Sequence, residues 1–157
     1  MQREQDAMNL EKILAQYDAM FGKNSLDEIE EYLAKTMKEA KTKSEEGILI
    51  TLLNEMIGFC RDTTQKDKAL YYCAELQEEL KRMKLEGRID YATSLLNVAN
   101  AYRAFGLLDE SLNLYRIVEA TYQRQVAPRI LCMQASIITG VFCIRRCRIT
   151  RVPEICC

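Results

Sequence analysis

Residues 92–115 constrain the fold of this chain more than any other stretch of its sequence. They read ATSLLNVANAYRAFGLLDESLNLY, and the positions that set the pattern are Leu95, Ala99, Tyr102, Gly106, Ser111 and Tyr115. The first three lie at the i, i+4, i+7 spacing that builds one face of a helix. Gly106 then suits a tight turn, because glycine adopts positive φ without steric cost. The stretch therefore predicts a helix, a turn and a second helix.

This order of large, small, aromatic, glycine, small and aromatic residues resembles the tetratricopeptide (TPR) repeat, a helical hairpin that stacks with copies of itself. A second copy lies one repeat earlier, at Leu53, Ile57, Cys60, Thr64, Ala69 and Cys73, where threonine replaces the turn glycine. A first copy is fainter. Its residues 27–29 correspond to residues 109–111, and Leu33 occupies the pattern position that follows in the second helix. The period, about 42 residues against roughly 34 in the common form, resembles the TPR variety of kinesin light chains and many bacterial proteins. The resemblance implies an all-α, right-handed α-hairpin solenoid, a TPR-like superhelix.

Helical spacing runs through residues 1–127, which contain no proline to interrupt it. We predict a repeat domain over residues 1–128, with three hairpins at about 3–43, 47–85 and 88–126. Their six helices are expected at about 3–21, 25–43, 47–62, 66–85, 88–105 and 108–126. Ser25 and Glu28 form a capping-box pattern at the start of the second helix. Gly87 is expected in the turn before the fifth helix, where positive φ is useful.

Composition argues against catalysis and against metal or cofactor binding. The chain has no histidine, no C-x-x-C pair and only scattered glycines. It therefore lacks the usual general base, a four-ligand zinc pattern and a phosphate-binding loop. Cys60 and Cys73 fall at core positions of the repeat, where we expect small buried hydrophobic residues. The net charge of −1 gives no general attraction to nucleic acid or membranes. Residues 1–25 lack an apolar signal sequence, so we expect a cytoplasmic protein with reduced thiols.

Residues 129–157 differ in composition from the rest of the chain. Residues 1–128 carry 17 basic and 22 acidic side chains, whereas 129–157 carry five arginines and one glutamate. Five of the seven cysteines also lie in this Ile/Cys/Arg-rich tail. It could be a membrane anchor, a natural basic tail or the result of a reading-frame change. As an anchor, the apolar run 130–144 is shorter than the roughly 20 residues that span a bilayer.

The genetic code favours the reading-frame change. Read two bases downstream, the codons of Met133 and Gln134 must contain an alanine codon, at the place that corresponds to Ala92 one repeat earlier. The codons of Cys143 and Ile144 likewise allow a tyrosine at the place that corresponds to Tyr102. Both residue types are those that a fourth hairpin needs. We therefore hypothesise that the tail is an out-of-frame remnant of a fourth repeat. The coding DNA across codons 120–170 tests this, since early stop codons in the shifted frame would refute it.

The TPR resemblance implies a non-catalytic scaffold that binds a protein or peptide on the concave face of its first helices. The expected ligand-binding residues are Asn54, Arg61, Leu96, Asn97, Asn100 and Arg103. Asparagine can pair with the backbone of an extended peptide, and arginine can pair with a carboxylate or phosphate. The alternative is a structural or regulatory solenoid fragment of a larger signalling protein or enzyme, without a groove of its own. Without a fourth hairpin, the third is uncapped, and we expect self-association through it.

Overall fold

The computed structural model of the chain describes residues 8–125. These residues form helices and turns without any strand, so the predicted all-α class is confirmed. The six helices are α1 (Leu10–Met20), α2 (Leu26–Thr42), α3 (Glu46–Asp62), α4 (Lys66–Arg82), α5 (Ile89–Ala104) and α6 (Leu108–Gln125). Within the described range, no helix combines the length and the apolar character needed to cross a membrane. The tail at 129–157, and every prediction made for it, lies outside the described residues.

Side-chain caps set the starts of α1 and α2. Helix α1 begins at Leu10, because Asn9 adopts extended backbone and its side chain accepts from the Lys12 backbone N–H at 2.9 Å. The predicted helix start at residue 3 lies outside the described residues. The predicted capping box of α2 is present. The Glu28 carboxylate accepts from the Ser25 backbone N–H at 2.8 Å, and the Ser25 hydroxyl accepts from the Glu28 backbone N–H at 3.3 Å.

The turns recur with the period seen in the sequence. Gly22, Thr64 and Gly106 follow one another at intervals of one repeat and have φ of 77°, 60° and 81°. Between the hairpins, Ser44 and Lys84 also adopt positive φ, at 58° and 53°. Three of these five positions therefore place a side chain in a backbone conformation that favours glycine. The turn conformation is kept where the glycine is lost.

The same hydrogen-bond pattern closes four of the helices. After α3, the backbone N–H of Gln65 donates to the Cys60 carbonyl at 2.8 Å, and that of Thr64 donates to the Arg61 carbonyl at 3.2 Å. These two bonds form a Schellman motif, in which the residue with positive φ lies just beyond the helix end. Equivalent pairs of bonds end α2, α4 and α5.

The core contains the positions that the repeat pattern selects. Buried first-helix residues are Leu53, Ile57 and Cys60 in α3 and Leu95 and Ala99 in α5, with Tyr102 half-buried beside them. Ile29, Ala69 and Ser111, which are equivalent positions near the starts of α2, α4 and α6, are also buried. The spacing of these positions is 42 residues from the second pair to the third and 40 residues from Ile29 to Ala69, which makes the described chain helical and repeat-like.

Successive helices pack in pairs. In the third pair, the Ser111 hydroxyl near the start of α6 donates to the Ala99 carbonyl late in α5 at 2.8 Å. The hydroxyls of Tyr122 and Thr93 meet at 2.9 Å at the opposite ends of the same helices. These two bonds make α5 and α6 antiparallel.

Contacts also join one pair to the next. Helix α3 packs on α5, and α4 packs on α5. On the second helices, Lys41 pairs with Glu75 and Lys68 pairs with Glu30, so that α2 is joined to α4. Because their lysines are largely exposed, each pair contributes little to stability. Apolar packing of the first helices therefore provides most of the cohesion between pairs.

A candidate ligand-binding face on the first helices

Helix α5 is buried on most of its circumference and reaches solvent along one strip. Thr93, Asn97 and Asn100 are half-buried, and Arg103 at the end of the helix is exposed. Their spacing of i, i+4, i+7 and i+10 places them on one side of the helix. Three of these four side chains are neutral and polar, so the open strip of an otherwise apolar helix is suited to hydrogen bonding.

Helix α3 has an equivalent strip. Thr51, Glu55, Gly58 and Arg61 lie one repeat before the four α5 positions, and all four are half-buried. We call the two strips, together with Asn54 at their junction, the polar face: Thr51, Asn54, Glu55, Gly58, Arg61, Thr93, Asn97, Asn100 and Arg103. It includes five of the six residues predicted to bind a ligand.

Asn54 and Asn97 join the two strips directly. The Asn97 amide Nδ2 donates to the Asn54 backbone carbonyl at 2.8 Å and to its Oδ1 at 3.2 Å. The Asn54 Nδ2 donates to the Ser94 hydroxyl at 3.1 Å and to the Ile50 carbonyl at 2.9 Å. The amide nitrogens of Asn54 and Asn97 thus both donate hydrogen bonds to groups of α3 or α5. Among the described residues, no donor reaches the Asn97 Oδ1, so this oxygen remains an acceptor at the surface.

Leu96 differs from the other predicted ligand-binding residues, because it is only 5% exposed. It belongs to an apolar cluster between α5 and α6 that also contains Ala92, Leu95 and Val118. The same helix turn therefore contributes Leu96 to packing and Asn97 to the polar face. A ligand on the polar face has little of the Leu96 surface to contact.

The remaining predicted residues lie toward the carboxyl ends of the first helices. The Asn100 Oδ1 accepts from the Tyr115 hydroxyl at 2.7 Å, which orients its amide from α6. The Arg61 side chain is 17% exposed and its Nε lies 3.1 Å from the Asp62 carboxylate. Arg61 and Arg103 occupy the last turns of α3 and α5, where the helix dipole favours positive charge. This end of the polar face, which we call its basic end, therefore carries two arginines, and the charge of Arg61 is already opposed by Asp62.

Gly58 leaves room in the middle of α3. A Cβ at this position would meet no atom within 4 Å, apart from the helix's own backbone and its chain neighbours. Glycine in a helix interior costs about 0.5–1 kcal/mol relative to alanine. The equivalent residue in α5 is Asn100, so the absence of a side chain in α3 is not a requirement of the repeat. The gap keeps the polar face open beside Arg61 and Asn54.

Five residues of this region were not predicted from the sequence: Thr51, Glu55, Gly58, Thr93 and Ser94. The first four fall on the strips at the same helical spacing as the asparagines, so the periodicity could have identified them. Ser94 could not be found in this way, because its contact with Asn54 depends on the distance between α3 and α5. It supplies the hydroxyl that fixes the Asn54 amide.

The described residues outside this face offer little chemistry. No group of three histidine, cysteine, aspartate or glutamate side chains within residues 8–125 could hold a metal ion. Cys60 and Cys73 are free and fully buried, as expected, and burial raises the pKa of the two thiols to about 11 and about 12. At neutral pH both are protonated and poor nucleophiles.

An open cavity of about 290 Å³ lies between the α2–α3 turn and α4. Its charged lining includes Arg82, which donates to Glu46 at 2.9 Å and to Glu79 at 2.7 Å. Lys41, which also lines the cavity, pairs with Glu75, so every charged side chain of the lining already takes part in an ion pair. It contains none of the polar-face residues.

Comparison with protein-family models, with curated proteins and with solved structures finds no match to this chain.

Proposed function

We propose that the chain is a TPR-like, right-handed α-hairpin solenoid that binds a protein or peptide on the polar face and carries out no catalysis. The observation that carries this proposal is the polar strip on α5, a helix whose other sides are almost entirely buried. Apolar packing explains the buried residues of α5, whereas the half-exposed asparagines at positions 97 and 100 make polar contacts with α3 and α6 and still reach the surface. The recurrence of the strip one repeat earlier, on α3, supports a continuous binding surface across the first helices.

The ligand is an extended peptide segment. Such a segment carries backbone N–H and carbonyl groups that need partners when they leave water. The Asn97 Oδ1 can accept from a peptide N–H, and its orientation is already fixed by the bonds of its Nδ2 to Asn54. A preoriented acceptor lowers the entropic cost of binding. The gap at Gly58 can admit a side chain of the bound segment.

The basic end of the polar face favours an acidic group on that peptide. Arg103 is exposed in the last turn of α5, and Arg61 occupies the equivalent place in α3. A charge-assisted hydrogen bond from such an arginine to a carboxylate contributes about 1.5–3 kcal/mol. Loss of one such bond corresponds to a decrease in affinity of about tenfold or more.

A peptide library displayed on phage tests the proposal. Peptides selected on the wild-type chain are expected to contain acidic residues and to bind the Arg103→Ala variant at least about tenfold more weakly. Lys38→Ala is the matched control, since Lys38 is an exposed cation on α2, away from the polar face. Amide chemical-shift changes on peptide addition should follow the α3 and α5 strips. Selected peptides that bind both variants equally, or that perturb only α2, α4 or α6, contradict the proposal.

Asn97→Ala is unsuitable for this test, because its amide also joins α3 to α5. The same hydrogen bonds support the alternative, a solenoid fragment in which the asparagines only hold helices together. A double-mutant cycle with Asn54→Ala and Asn97→Ala measures their coupling in the free energy of unfolding, expected at about 0.5–3 kcal/mol. The structural alternative predicts this coupling and no peptide selection. The binding proposal predicts the coupling together with selected peptides that depend on Arg103.

A further inference from the structure

One side of α6 exposes a patch of apolar residues. Leu108 is 62% exposed and Leu112 is 48% exposed, and they lie one helical turn apart. Tyr115 extends the same side and is half-buried. Isolated exposed leucines are ordinary, but two on adjacent turns beside an aromatic residue form a patch.

Helix α4 shows what this side of a second helix contacts. Cys73 of α4 occupies the position equivalent to Tyr115 and is fully buried. One turn further along α4, the Gln77 amide donates to the Tyr102 hydroxyl of α5 at 3.2 Å. The part of this side around Cys73 and Gln77 therefore packs against the following pair, with Leu70, the equivalent of Leu112, half-buried beside it. Among residues 8–125, no following pair covers the equivalent part of α6.

The charges beside the patch are arranged for a self-complementary contact. Asp109 and Arg116 are exposed on the same side of α6 as Leu112. Asp109 lies toward the amino end of the helix from Leu112, and Arg116 lies toward the carboxyl end. Within residues 8–125 neither of them takes part in an ion pair. If two α6 helices pack antiparallel with Leu112 at their centre, Leu108 of one lies across from the turn of Arg116 in the other. Asp109 of each helix then faces Arg116 of its partner.

We propose that a second copy of this chain covers the patch, in a two-fold symmetric dimer in which the α6 helices pack antiparallel. Such an interface is self-complementary, since the same residues contribute from both copies and each Asp109–Arg116 pair forms twice. It shares with the polar face only the contact of Tyr115, whose hydroxyl donates to the Asn100 Oδ1. One helix from each copy buries less than the roughly 1,600 Å² of a typical stable complex. The dimer is therefore expected to dissociate in the micromolar range.

Charge reversal tests the geometry by sedimentation equilibrium of the full chain. Arg116→Asp and Asp109→Arg should each weaken the dimer at least about tenfold, because each creates like-charged pairs across the two-fold axis. Mixing the two variants should restore association, since the heterodimer contains one ion pair between the native Asp109 and Arg116 and a second pair in which the two charges are exchanged. Neither residue contacts the core, so circular dichroism should show unchanged helix content.

A second variant tests the apolar centre. Leu112→Gln should weaken the dimer at least about tenfold, whereas Tyr71→Gln should leave it unchanged, since Tyr71 is 64% exposed on α4 and far from the patch in sequence. A wild-type chain that remains monomeric at about 200 µM, far above a dissociation constant in the micromolar range, overturns the proposal. A monomer in which another part of the same chain covers α6 would give the same result and would also overturn the proposal. Association that survives both charge reversals, or a mixture that fails to recover it, also overturns the two-fold arrangement.

Discussion

Thr64 offers the sharpest test of the repeat, because glycine occupies the same turn position one repeat before it and one repeat after it. Its φ is 60°, in the left-handed region where the Cβ of an L-residue approaches the following carbonyl oxygen. For a β-branched residue this conformation is rare. Replacing Thr64 with glycine should therefore stabilise the protein while leaving the turn unchanged.

The expected gain follows from two opposing contributions. Relief of the left-handed conformation contributes about 1–2 kcal/mol. The greater freedom of glycine in the unfolded chain costs about 0.5–1 kcal/mol. The bond from the Thr64 hydroxyl to the Thr63 carbonyl is exposed, and water replaces it at little cost. The Thr64→Gly variant should gain about 0.5–1 kcal/mol in free energy of unfolding, measured by urea titration with circular dichroism.

Two controls separate backbone conformation from side-chain contacts. Thr63→Gly should destabilise the protein, because Thr63 has a φ of −94° and its hydroxyl donates to the Phe59 carbonyl at 2.8 Å. Gly106→Ala should cost about 1 kcal/mol, since it introduces a side chain at a φ of 81°. The added methyl group meets no atom within 4 Å, so this loss is one of backbone conformation alone. A Thr64→Gly variant that is neutral or less stable than wild type would refute the reasoning.

Three further predictions concern other parts of the molecule. The hydrogen bond from the Ser25 backbone lowers the pKa of Glu28 below its usual value of 4.5, so its contribution to stability is present above that pH and is lost as pH falls through the folded-state pKa. The difference in urea midpoint between wild type and Glu28→Gln should accordingly shrink on acidification from pH 6 to pH 3, roughly across this titration. Alkylation of Cys60 and Cys73 by iodoacetamide at pH 8 should be more than about 100-fold slower in the folded than in the urea-unfolded protein, read by mass spectrometry of the peptides that contain them, and equal rates would contradict their burial. Gly58→Ala should raise the free energy of unfolding by about 0.5–1 kcal/mol and weaken selected peptides, and a variant that is more stable but binds unchanged would argue against a ligand in the gap.

The helices and turns could be predicted from the sequence because their causes are local. Apolar spacing along one helix, a capping serine with a glutamate three residues later, and a recurring turn position depend only on residues close in the chain. The structure confirms these features for the helices from residue 26 to residue 125. Helical spacing did not reveal that the Asn9 side chain caps the start of α1 at Leu10, since the apolar pattern alone does not mark a cap.

The side-chain arrangement of the polar face could be predicted only in part. Helical spacing placed Asn97, Asn100 and Arg103 on one side of α5, and the structure keeps them there. Spacing could not show that the Asn97 N–H groups bind Asn54, because that contact depends on how closely α3 and α5 approach. It also did not separate Leu96 from its neighbour, since a boundary between buried and open surface can fall between consecutive residues.

The two ends of the Asn97 amide explain how one residue can serve both packing and binding. Its Nδ2 bonds to α3 fix the plane of the amide, and fixing that plane also fixes the direction of its Oδ1. If the amide only held the helices together, a donor from the protein would be expected to satisfy the oxygen as well, since half-buried polar atoms tend to be paired. Gly58, on the neighbouring helix α3, adds open space to the same face at a cost in helix stability that no neighbouring atom requires. An oriented acceptor next to such a space is more consistent with a bound peptide than with packing alone.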